Sequence, residues 1–280
     1  MSAPRSSDEP EVDWSWTGEE SDWIPPDIDT KRPSVARMYD FALGGKDNFA
    51  VDREAVLKVA EMVPEFRQVA LANRGFLVRA IRAMANLGID QFIDLGTGIP
   101  TSPNVHEVAQ VTHPGAKVVY VDNDPMVMAY NQALRARRPG VRTLHQDLRH
   151  PDAVLDDTKV REHLDFDRPI GVLFVAVMHF VRRELSVEVV KHYRRSLPAG
   201  SYLALSTACS EGMESRLIAR LETVYASSPS PCVMRTTSQV EQLFEGTELL
   251  APGIVDVTQW RDTQPVLPIR ILSGVGKIVG

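Results

Sequence analysis

The segment that most constrains the fold of this chain is FIDLGTGIP, at residues 92–100. Its apolar start predicts a short buried strand that runs into a turn formed by Gly96, Thr97 and Gly98. In an open α/β sheet, such a turn lies at the carboxyl edge, where these folds bind ligands. Glycine lets the backbone approach a ligand closely, but the third glycine of a dinucleotide fingerprint is missing and Pro100 follows instead. The turn therefore predicts a ligand site that is not built for a pyrophosphate.

After residue 91 the chain alternates between strand and helix patterns, which is typical of a parallel sheet. The predicted strands lie at about 91–96, 117–122, 141–146, 170–177 and 201–206. The predicted helices lie at about 103–112, 125–137, 152–163, 184–197, 211–226 and 237–244. Two later β-rich segments, 254–260 and 268–278, are too close together for a helical crossover, so we expect an antiparallel hairpin. The pattern predicts an α/β fold whose mostly parallel sheet ends in a hairpin.

Two segments of different character precede this core. Residues 1–31 are acidic, rich in serine and proline and without periodicity, so we predict a disordered tail. Trp14, Trp16 and Trp23 in this tail could contact a partner or the body of the protein. Residues 32–90 have apolar side chains at helical spacing and are predicted to form three helices that cap the sheet. The predicted organisation is a tail at 1–31 and one domain at 32–280, with a cap at 32–90 and a core at 91–280.

Composition restricts the class of protein. With 280 residues, of which 44% are hydrophobic, the chain can bury one substantial core. We find no apolar run long enough to span a bilayer and no leader, so we predict no membrane association. Cys209 and Cys232 form no metal or disulfide pattern, which indicates a reducing cytoplasm. Residues 1–30 hold nine of the 37 acidic side chains and one of the 31 basic ones. The rest of the chain therefore has 28 acidic and 30 basic side chains, which is not the basic excess expected of a nucleic-acid binder.

Carboxylates follow three successive predicted strands, at Asp94, Asp122 and Asp147. Buried carboxylates are costly without partners, so core packing explains them poorly. Asp94 could face an amino group, Asp122 could accept hydrogen bonds from a ribose diol, and Asp147 could accept one from the amine of adenine. Asn123 and the backbone N–H of Leu148 would border the adenine. Turn or cap roles remain alternatives, and NAD enzymes use the same acidic position as Asp122, so these residues indicate adenosine without identifying the cofactor.

Four segments resemble a known family: ARMYDFALGGKDNF at 36–49, QFIDLGTGIPT at 91–101, NVHE at 104–107 and YVDNDP at 120–125. With the strand-end carboxylates, they are similar to class I S-adenosylmethionine-dependent methyltransferases. They resemble more closely a bacterial S-adenosyl methyltransferase family formerly classed as a domain of unknown function, over residues 32–280. The resemblance implies a Rossmann-like class I fold with a mostly parallel seven-stranded sheet, and S-adenosylmethionine as the cofactor. It does not supply a substrate.

The resemblance also directs attention to the end of the fourth strand, near which class I enzymes place the reacting methyl group. His179 follows this strand, and because an imidazole titrates near neutral pH it could remove a proton from the acceptor. It could equally be a structural histidine. Tyr39, Lys46 and Asn48 surround a Gly-Gly pair and could line the pocket or form a lid, or belong to an ordinary helix-ending turn. We predict no metal site, since the chain shows no metal-ligand pattern.

The leading hypothesis is a cytoplasmic S-adenosylmethionine-dependent methyltransferase that acts on a small-molecule acceptor, at oxygen or nitrogen, by in-line transfer. The chain lacks an Asn/Asp-Pro-Pro-aromatic tetrad, and no cysteine lies near His179, so methylation of DNA bases is not expected. Two alternatives stay open. One is a catalytically silent S-adenosylmethionine-binding protein that recruits a partner, and the other is an NAD-dependent oxidoreductase, which Pro100 and Asp147 disfavour. The sequence does not predict an oligomeric state.

Overall fold

The computed structural model describes residues 29–135, 138–226, 228 and 230–279. The predictions for Trp14, Trp16 and Trp23 lie outside the described residues. The helices of the described part are α1 (Val35–Leu43), α2 (Ala50–Met62), α3 (Phe66–Asn86), α4 (Val105–Thr112), α5 (Pro125–Arg135), α6 (Pro151–Leu155), α7 (Thr158–His163), α8 (Arg183–Ser196), α9 (Ser215–Tyr225) and α10 (Thr237–Leu243). The strands are β1 (Gln91–Leu95), β2 (Lys117–Asp122), β3 (Val141–His145), β4 (Gly171–Val175), β5 (Tyr202–Cys209), β6 (Thr247–Leu249), β7 (Val255–Asp256) and β8 (Arg270–Ile278).

One mixed sheet organises these elements. Its strand order is β3-β2-β1-β4-β5-β8-β6, and β7 pairs with β8 beside that path. Strands β1 to β5 are parallel, and β8 runs antiparallel to β5, β6 and β7. This confirms the predicted α/β fold with a mostly parallel sheet and antiparallel C-terminal strands. The strand order reverses between β1 and β4, and such a reversal opens a crevice at the carboxyl ends of the strands.

The C-terminal strands differ in detail from the prediction. In the segment 254–260, only Val255–Asp256 forms a strand, because a turn follows it: the carbonyl of Asp256 accepts hydrogen bonds from the N–H groups of Gln259 (2.8 Å) and Trp260 (3.1 Å). Thr247–Leu249 forms an additional edge strand, so the described part has eight strands instead of seven. This strand has only three residues, too few to produce a recognisable alternating pattern.

Two helices also begin or end at residues that the sequence did not indicate. The predicted helix at 152–163 is divided into α6 and α7, because the side chain of Asp157 caps α7 by accepting a hydrogen bond from the N–H of Lys159 (2.8 Å). Helix α9 begins at Ser215, after a turn in which the N–H of Met213 donates to the carbonyl of Ser210 (3.2 Å). Within the described ranges, no helix has the length and apolar character needed to cross a membrane.

The sheet is buried on both faces, as expected of parallel strands between two helical layers. Phe92 of β1 belongs to the cluster that packs under α3, whereas its neighbour Ile93 belongs to the cluster on the opposite face. In the first cluster, the rings of Phe76 and Trp260 meet edge to face with their centroids 5.4 Å apart. The alternation of side chains along each strand thus supplies two cores, and it leaves the strand ends available for a site.

The helical cap, formed by α1, α2 and α3, is attached to the sheet domain by polar contacts. The buried guanidinium of Arg37 in α1 donates to the carboxylate of Asp52 in α2 at 2.7 Å. Before α1, the hydroxyl of Ser34 donates to the carboxylate of Asp124, at the start of α5, at 2.8 Å. The first contact joins α1 to α2 within the cap, and the second holds the cap against the carboxyl end of β2.

Candidate active site

A cavity of about 560 Å³ lies at the carboxyl ends of β1 to β5, beneath the helical cap. Its volume is within the range of small-molecule sites. Among the residues selected from the sequence, those that line it are Tyr39, Asp94, Gly96, Thr97, Gly98, Asp122, Asn123, Asp147, Leu148 and His179. Strand ends that are far apart in the sequence therefore meet around one space.

The glycine turn after β1 forms one wall of this cavity. Gly96 and Gly98 have φ angles of +70° and +64°, a region that favours glycine. A Cβ atom on Gly96 would collide with the side chain of Val177, whereas one on Gly98 would meet no atom of the described residues within 4 Å. The N–H of Gly98 donates to the carboxylate of Asp122 at 2.9 Å, which fixes the turn to the end of β2. The turn thus presents bare backbone beside open space, as a closely bound ligand requires.

Asp122, at the end of β2, is a buried carboxylate that is held by backbone groups. Its two oxygens accept hydrogen bonds from the N–H groups of Gly98 and Asp124, each at 2.9 Å. Burial raises the pKa of Asp122 to about 6; the two backbone hydrogen bonds oppose this shift, and the nearby charges of Asp124 and Asp94 add to it. The ionised form is therefore poorly stabilised in the free protein. Hydroxyl groups of a ligand that donate to this carboxylate would stabilise it.

Asp147, after β3, is paired with a residue that the sequence analysis missed. Nε of Arg149 donates to both carboxylate oxygens at 2.9 Å, and Nδ2 of Asn123 donates to one of them at 3.3 Å. Partial burial acts to raise the pKa of Asp147, but the hydrogen bonds and the charge of Arg149 outweigh it and hold the pKa below its usual range. The carboxylate is thus ionised, and a ligand amine that binds it must share it with Arg149, which also lines the cavity.

His179 lies in a single-turn 3-10 helix, Met178–Phe180, directly after β4. Its Nδ1 atom accepts a hydrogen bond from the N–H of Ala208 at 3.4 Å, which assigns the ring proton of the neutral imidazole to Nε2. Burial lowers the pKa of His179 to about 3, and the charge of Arg235 lowers it further. A group with this pKa is a weak general base at neutral pH. The lowered pKa disfavours the predicted role of His179 as a general base, and the neutral ring offers an N–H donor.

A chain of hydrogen bonds joins the cap to the end of β4. The amide of Asn73 in α3 donates to the hydroxyl of Tyr39 (2.9 Å) and accepts from the hydroxyl of Ser206 in β5 (2.6 Å). Ser206 in turn accepts from the N–H of Ala176 at 2.9 Å. Ala176 has a φ angle of +56°, which is strained for a residue with a side chain. The chain supports a strained backbone next to His179.

Lys46 and Asn48 do not line the cavity, so the prediction that they line the pocket is corrected. The side chain of Asn48 is directed into its own turn, where it donates to the carboxylate of Asp40 (2.8 Å) and to the carbonyl of Gly45 (3.1 Å). Lys46 is exposed. A Cβ atom on Gly45 would collide with the Asp40 carboxylate, so the glycine serves the turn itself.

The segment before α1 contributes to the cavity wall, which the sequence analysis also missed. Asp29, Arg32 and Ser34 line the cavity beside the end of β2. The backbone carbonyls of Asp29 and Arg32 accept hydrogen bonds from Nη2 of Arg37 at 3.2 and 2.6 Å. The last residues of the predicted tail are therefore attached to the cap. Because the acceptors are backbone carbonyls, which every residue has, the types of these residues could not have predicted the contacts.

Comparison with known proteins agrees with this geometry. The family model described as S-adenosyl methyltransferase matches residues 21–277. The structure is similar to that of a putative methyltransferase from Thermobifida fusca YX, with 36% sequence identity, a TM-score of 0.85 and coverage of 93% of this chain and 100% of the other. It is also similar to a DUF574 family protein from Streptomyces avermitilis MA-4680, with 38% identity, a TM-score of 0.84 and coverage of 89% and 99%. No curated protein sequence matches the chain.

The match to the family model extends over most of the chain, and it confirms the resemblance on which the sequence analysis relied. Two solved structures with more than a third of their residues identical share the whole architecture. The chain therefore belongs to the S-adenosyl methyltransferase family, and it is a methyltransferase that uses S-adenosylmethionine as its cofactor.

Proposed function

We propose that the enzyme methylates a small-molecule acceptor at oxygen or nitrogen by in-line transfer. One observation carries this proposal: a single cavity joins a polar wall at the ends of β1, β2 and β3 to an apolar wall formed by α9 and β8. When bound, S-adenosylmethionine supplies an electrophilic methyl group on a sulfonium. The cavity is covered by the cap and suits a compact acceptor better than a long polymer. Cys209 and Cys232, which are both free and buried, agree with a cytoplasmic location.

The polar wall supplies the groups that we assign to the cofactor. Asp122 accepts the ribose hydroxyls, which would stabilise its buried charge. The turn of Gly96, Thr97 and Gly98 lets the backbone lie against the ligand, and Gly98 leaves the open space that this contact needs. Asp94 lies close enough to Asp122 to raise the pKa of the latter, and we assign it to the ammonium of the amino acid moiety. A cation beside Asp94 would relieve the repulsion between the two carboxylates.

The remaining site residues act by positioning. The contribution of the protein to an in-line displacement is mainly to hold the acceptor atom opposite the sulfur. The hydrogen bonds of Tyr39, Asn73 and Ser206 hold the backbone at the end of β4, which borders this position. His179 presents a neutral ring to the same region, since its pKa is lowered to about 3 by burial and by Arg235.

The proposal is tested by calorimetric titration with S-adenosylmethionine, S-adenosylhomocysteine and NAD. We expect the first two to bind and NAD not to bind, because the glycine turn lacks the elements of a pyrophosphate site. Incubation with S-adenosylmethionine and a library of small aromatic and aliphatic acceptors, followed by mass spectrometry, then identifies methylated products. Binding of NAD in preference to S-adenosylhomocysteine would refute the proposal, and methylation of DNA or RNA alone would refute the small-molecule acceptor.

The affinity for S-adenosylhomocysteine is expected to decrease as the pH falls from 8 to 5. Burial raises the pKa of Asp122 to about 6, so below that pH the free protein holds a proton on this carboxyl. Ribose hydroxyls donate to the ionised form, so binding at lower pH first requires loss of the proton. The loss should approach about tenfold per pH unit below the pKa. Titrations across this range measure it, and the Asp122→Asn variant should bind weakly with no such dependence; a flat wild-type profile would contradict the assignment.

Replacement of Asp147 by asparagine is expected to weaken S-adenosylhomocysteine binding by about tenfold, because the amide accepts less strongly from the adenine amine. The melting temperature should change little, since the ion pair of Asp147 with Arg149 is partly exposed. Asp156→Asn is the matched control, because Asp156 pairs with Arg161 at the surface and does not line the cavity. Equal affinities for the two variants would show that adenine is recognised elsewhere.

A further inference from the structure

Beyond His179, the cavity continues into a region that we call the acceptor compartment, defined by Phe180, Leu221, Tyr225, Cys232, Met234 and Ile271. Several contacts bring these segments together. The N–H of Val233 donates to the carbonyl of His179 at 2.7 Å, and Ile271 of β8 lies opposite Ala208 of β5. The rings of Phe180 and Tyr225 have centroids 5.8 Å apart. The compartment therefore adjoins the end of β4, where the acceptor must lie.

The side chains of the acceptor compartment carry no charge. Burial raises the pKa of Cys232 to about 12 and raises the pKa of Tyr225 above its usual range, so both keep their protons at neutral pH. The position of Cys232 corrects the expectation that no cysteine lies near His179, but a thiol that keeps its proton is a poor nucleophile for attack on a DNA base. Arg235 is buried nearby, but its guanidinium donates to the carbonyls of Val233 (3.3 Å) and Val181 (2.8 Å) and does not line the cavity. A carboxylate, phosphate or ammonium on the acceptor would be desolvated here without a partner, at a cost of several kcal/mol. The compartment thus selects a neutral ligand.

The aromatic side chains determine the shape of ligand that the compartment accepts. The ring of Phe180 contacts that of Tyr225 at an interplanar angle of 47°, and it also contacts the ring of His179, with centroids 4.4 Å apart. Aromatic surfaces of this kind pack favourably against the face or edge of another ring. The aliphatic side chains of Leu221 and Ile271 line the same cavity, so the aromatic and aliphatic surfaces together favour a flat apolar ring.

The reaction in this compartment must proceed without a strong base. His179 is the ionisable group that follows β4, and its pKa is lowered to about 3 by burial and by Arg235. The carboxylates Asp94, Asp122 and Asp147 line the cavity at the ends of β1, β2 and β3, in the part assigned to the cofactor. Three further carboxylates line the cavity, and each accepts a hydrogen bond from the protein: Asp29 from the N–H of Lys31, Asp40 from the amide of Asn48, and Asp124 from the hydroxyl of Ser34. A nucleophile that must lose a proton before attack would therefore lack a base to accept that proton. A nitrogen with a free lone pair needs no such step.

We propose that the acceptor is a neutral, flat aromatic heterocycle that is methylated on a ring nitrogen. This inference rests on the proposed function and specifies its acceptor. The nitrogen lone pair forms the bond to the methyl carbon, the bond between that carbon and sulfur breaks, and its electron pair remains on sulfur. The positive charge moves from sulfur to nitrogen, so charge is conserved and no proton is transferred. Unlike the localised charge of an ammonium group, this charge is spread over the ring of the product, and the aromatic rings of Phe180 and Tyr225 interact favourably with such a cation.

Binding of model ligands to the protein saturated with S-adenosylhomocysteine tests the inference. At pH 8 isoquinoline is expected to bind about tenfold or more tightly than isoquinoline-3-carboxylate, because the latter carries a charge. With S-adenosylmethionine, mass spectrometry should detect N-methylisoquinolinium, and 2-naphthol should react more slowly. Tighter binding of the carboxylate, faster methylation of 2-naphthol, or no binding of isoquinoline would overturn the inference. Failure of S-adenosylhomocysteine itself to bind would instead refute the proposed function.

Variants of α9 provide the matched controls. Leu221→Asp and Leu221→Asn change the side chain by nearly the same volume, and only the first adds a charge. Isoquinoline binding should be about tenfold weaker in the aspartate variant than in the asparagine variant, with the affinity for S-adenosylhomocysteine equal in both. Thr223→Asp adds the same charge at an exposed position of α9 and should bind as the wild type does. Equal isoquinoline affinities of the two Leu221 variants would overturn the inference.

If the charge in Leu221→Asp prevents folding, the Tyr225→Ala variant tests the inference instead. It removes one aromatic surface of the compartment without adding a charge. Isoquinoline affinity is expected to fall by about fivefold or more, while S-adenosylhomocysteine binds as before. Thr223→Ala, at the exposed position of the same helix, is the control. Unchanged isoquinoline affinity in Tyr225→Ala would overturn the inference.

Discussion

Replacement of Arg37 by methionine is expected to lower the free energy of unfolding by about 3–5 kcal/mol, because it leaves a buried carboxylate without its cation. Nε of Arg37 donates to Asp52 at 2.7 Å, and the two side chains are only 4% and 0% exposed. Asp52 also accepts hydrogen bonds from the N–H groups of Ser34 and Phe49, so it cannot turn towards solvent without breaking the start of the cap. Chemical denaturation followed by circular dichroism measures the change.

Lys191→Met is the matched control for this prediction. Lys191 pairs with Glu188 on the surface of α8 at 3.4 Å, and both side chains are largely or partly exposed. Removal of such a pair costs between about 0 and 1 kcal/mol, because water screens the charges. If Arg37→Met and Lys191→Met lowered the stability equally, the buried ion pair would not be what holds α1 to α2.

Replacement of Asp122 by alanine is expected to weaken the binding of S-adenosylhomocysteine by about 2 kcal/mol, or roughly 30-fold. The variant removes the carboxylate that we assign to the ribose hydroxyls, and hydrogen bonds to a charged acceptor are among the stronger ones. It also frees the N–H of Gly98, which would loosen the glycine turn. Calorimetric titration at pH 8, where the wild-type carboxyl is ionised, measures the loss.

Asp157→Ala is the matched control for Asp122→Ala. It shows what the loss of an aspartate that accepts from a backbone N–H does when that aspartate lies outside the cavity. Asp157 accepts from the N–H of Lys159 at 2.8 Å at the start of α7, as Asp122 does from the N–H of Asp124, but it does not line the cavity. Its replacement should lower the stability slightly and leave the affinity unchanged. A folded Asp122→Ala protein with wild-type affinity would remove Asp122 from the site.

The parallel core and its ligand turn could be predicted because they follow local rules. A run of apolar residues that ends in an acidic residue and a glycine pair identifies β1 and its turn, and an acidic residue likewise marks the end of β2 at Asp122 and the end of β3 at Asp147. The carboxyl ends of neighbouring parallel strands always lie at one edge of the sheet. Asp94, Asp122 and Asp147 therefore line one cavity although they are 25 to 53 positions apart. The family resemblance supplied the cofactor, which the geometry of a carboxylate alone could not distinguish from NAD.

The state of His179 was decided by tertiary structure. The sequence suggested a base that titrates near neutral pH, but burial and Arg235, which is 56 positions away, move its pKa to about 3. The acceptance of a hydrogen bond from Ala208 also determines which nitrogen holds the proton. A pKa depends on desolvation and on neighbouring charges, and neither is a property of nearby positions in the sequence.

The hydrogen-bonded chain and the acceptor compartment arise in the same way from distant segments. Asn73 and Ser206, which are 133 positions apart, share a hydrogen bond of 2.6 Å, and no local pattern marks either of them. Lys46 and Asn48 stood in a conspicuous motif, yet the side chain of Asn48 serves its own turn. The sequence by itself determined the five parallel strands and the residues at their ends, because periodicity and turn chemistry act over a few residues. Only the tertiary structure decided which side chains are desolvated together, and therefore which of them can bind, donate or titrate.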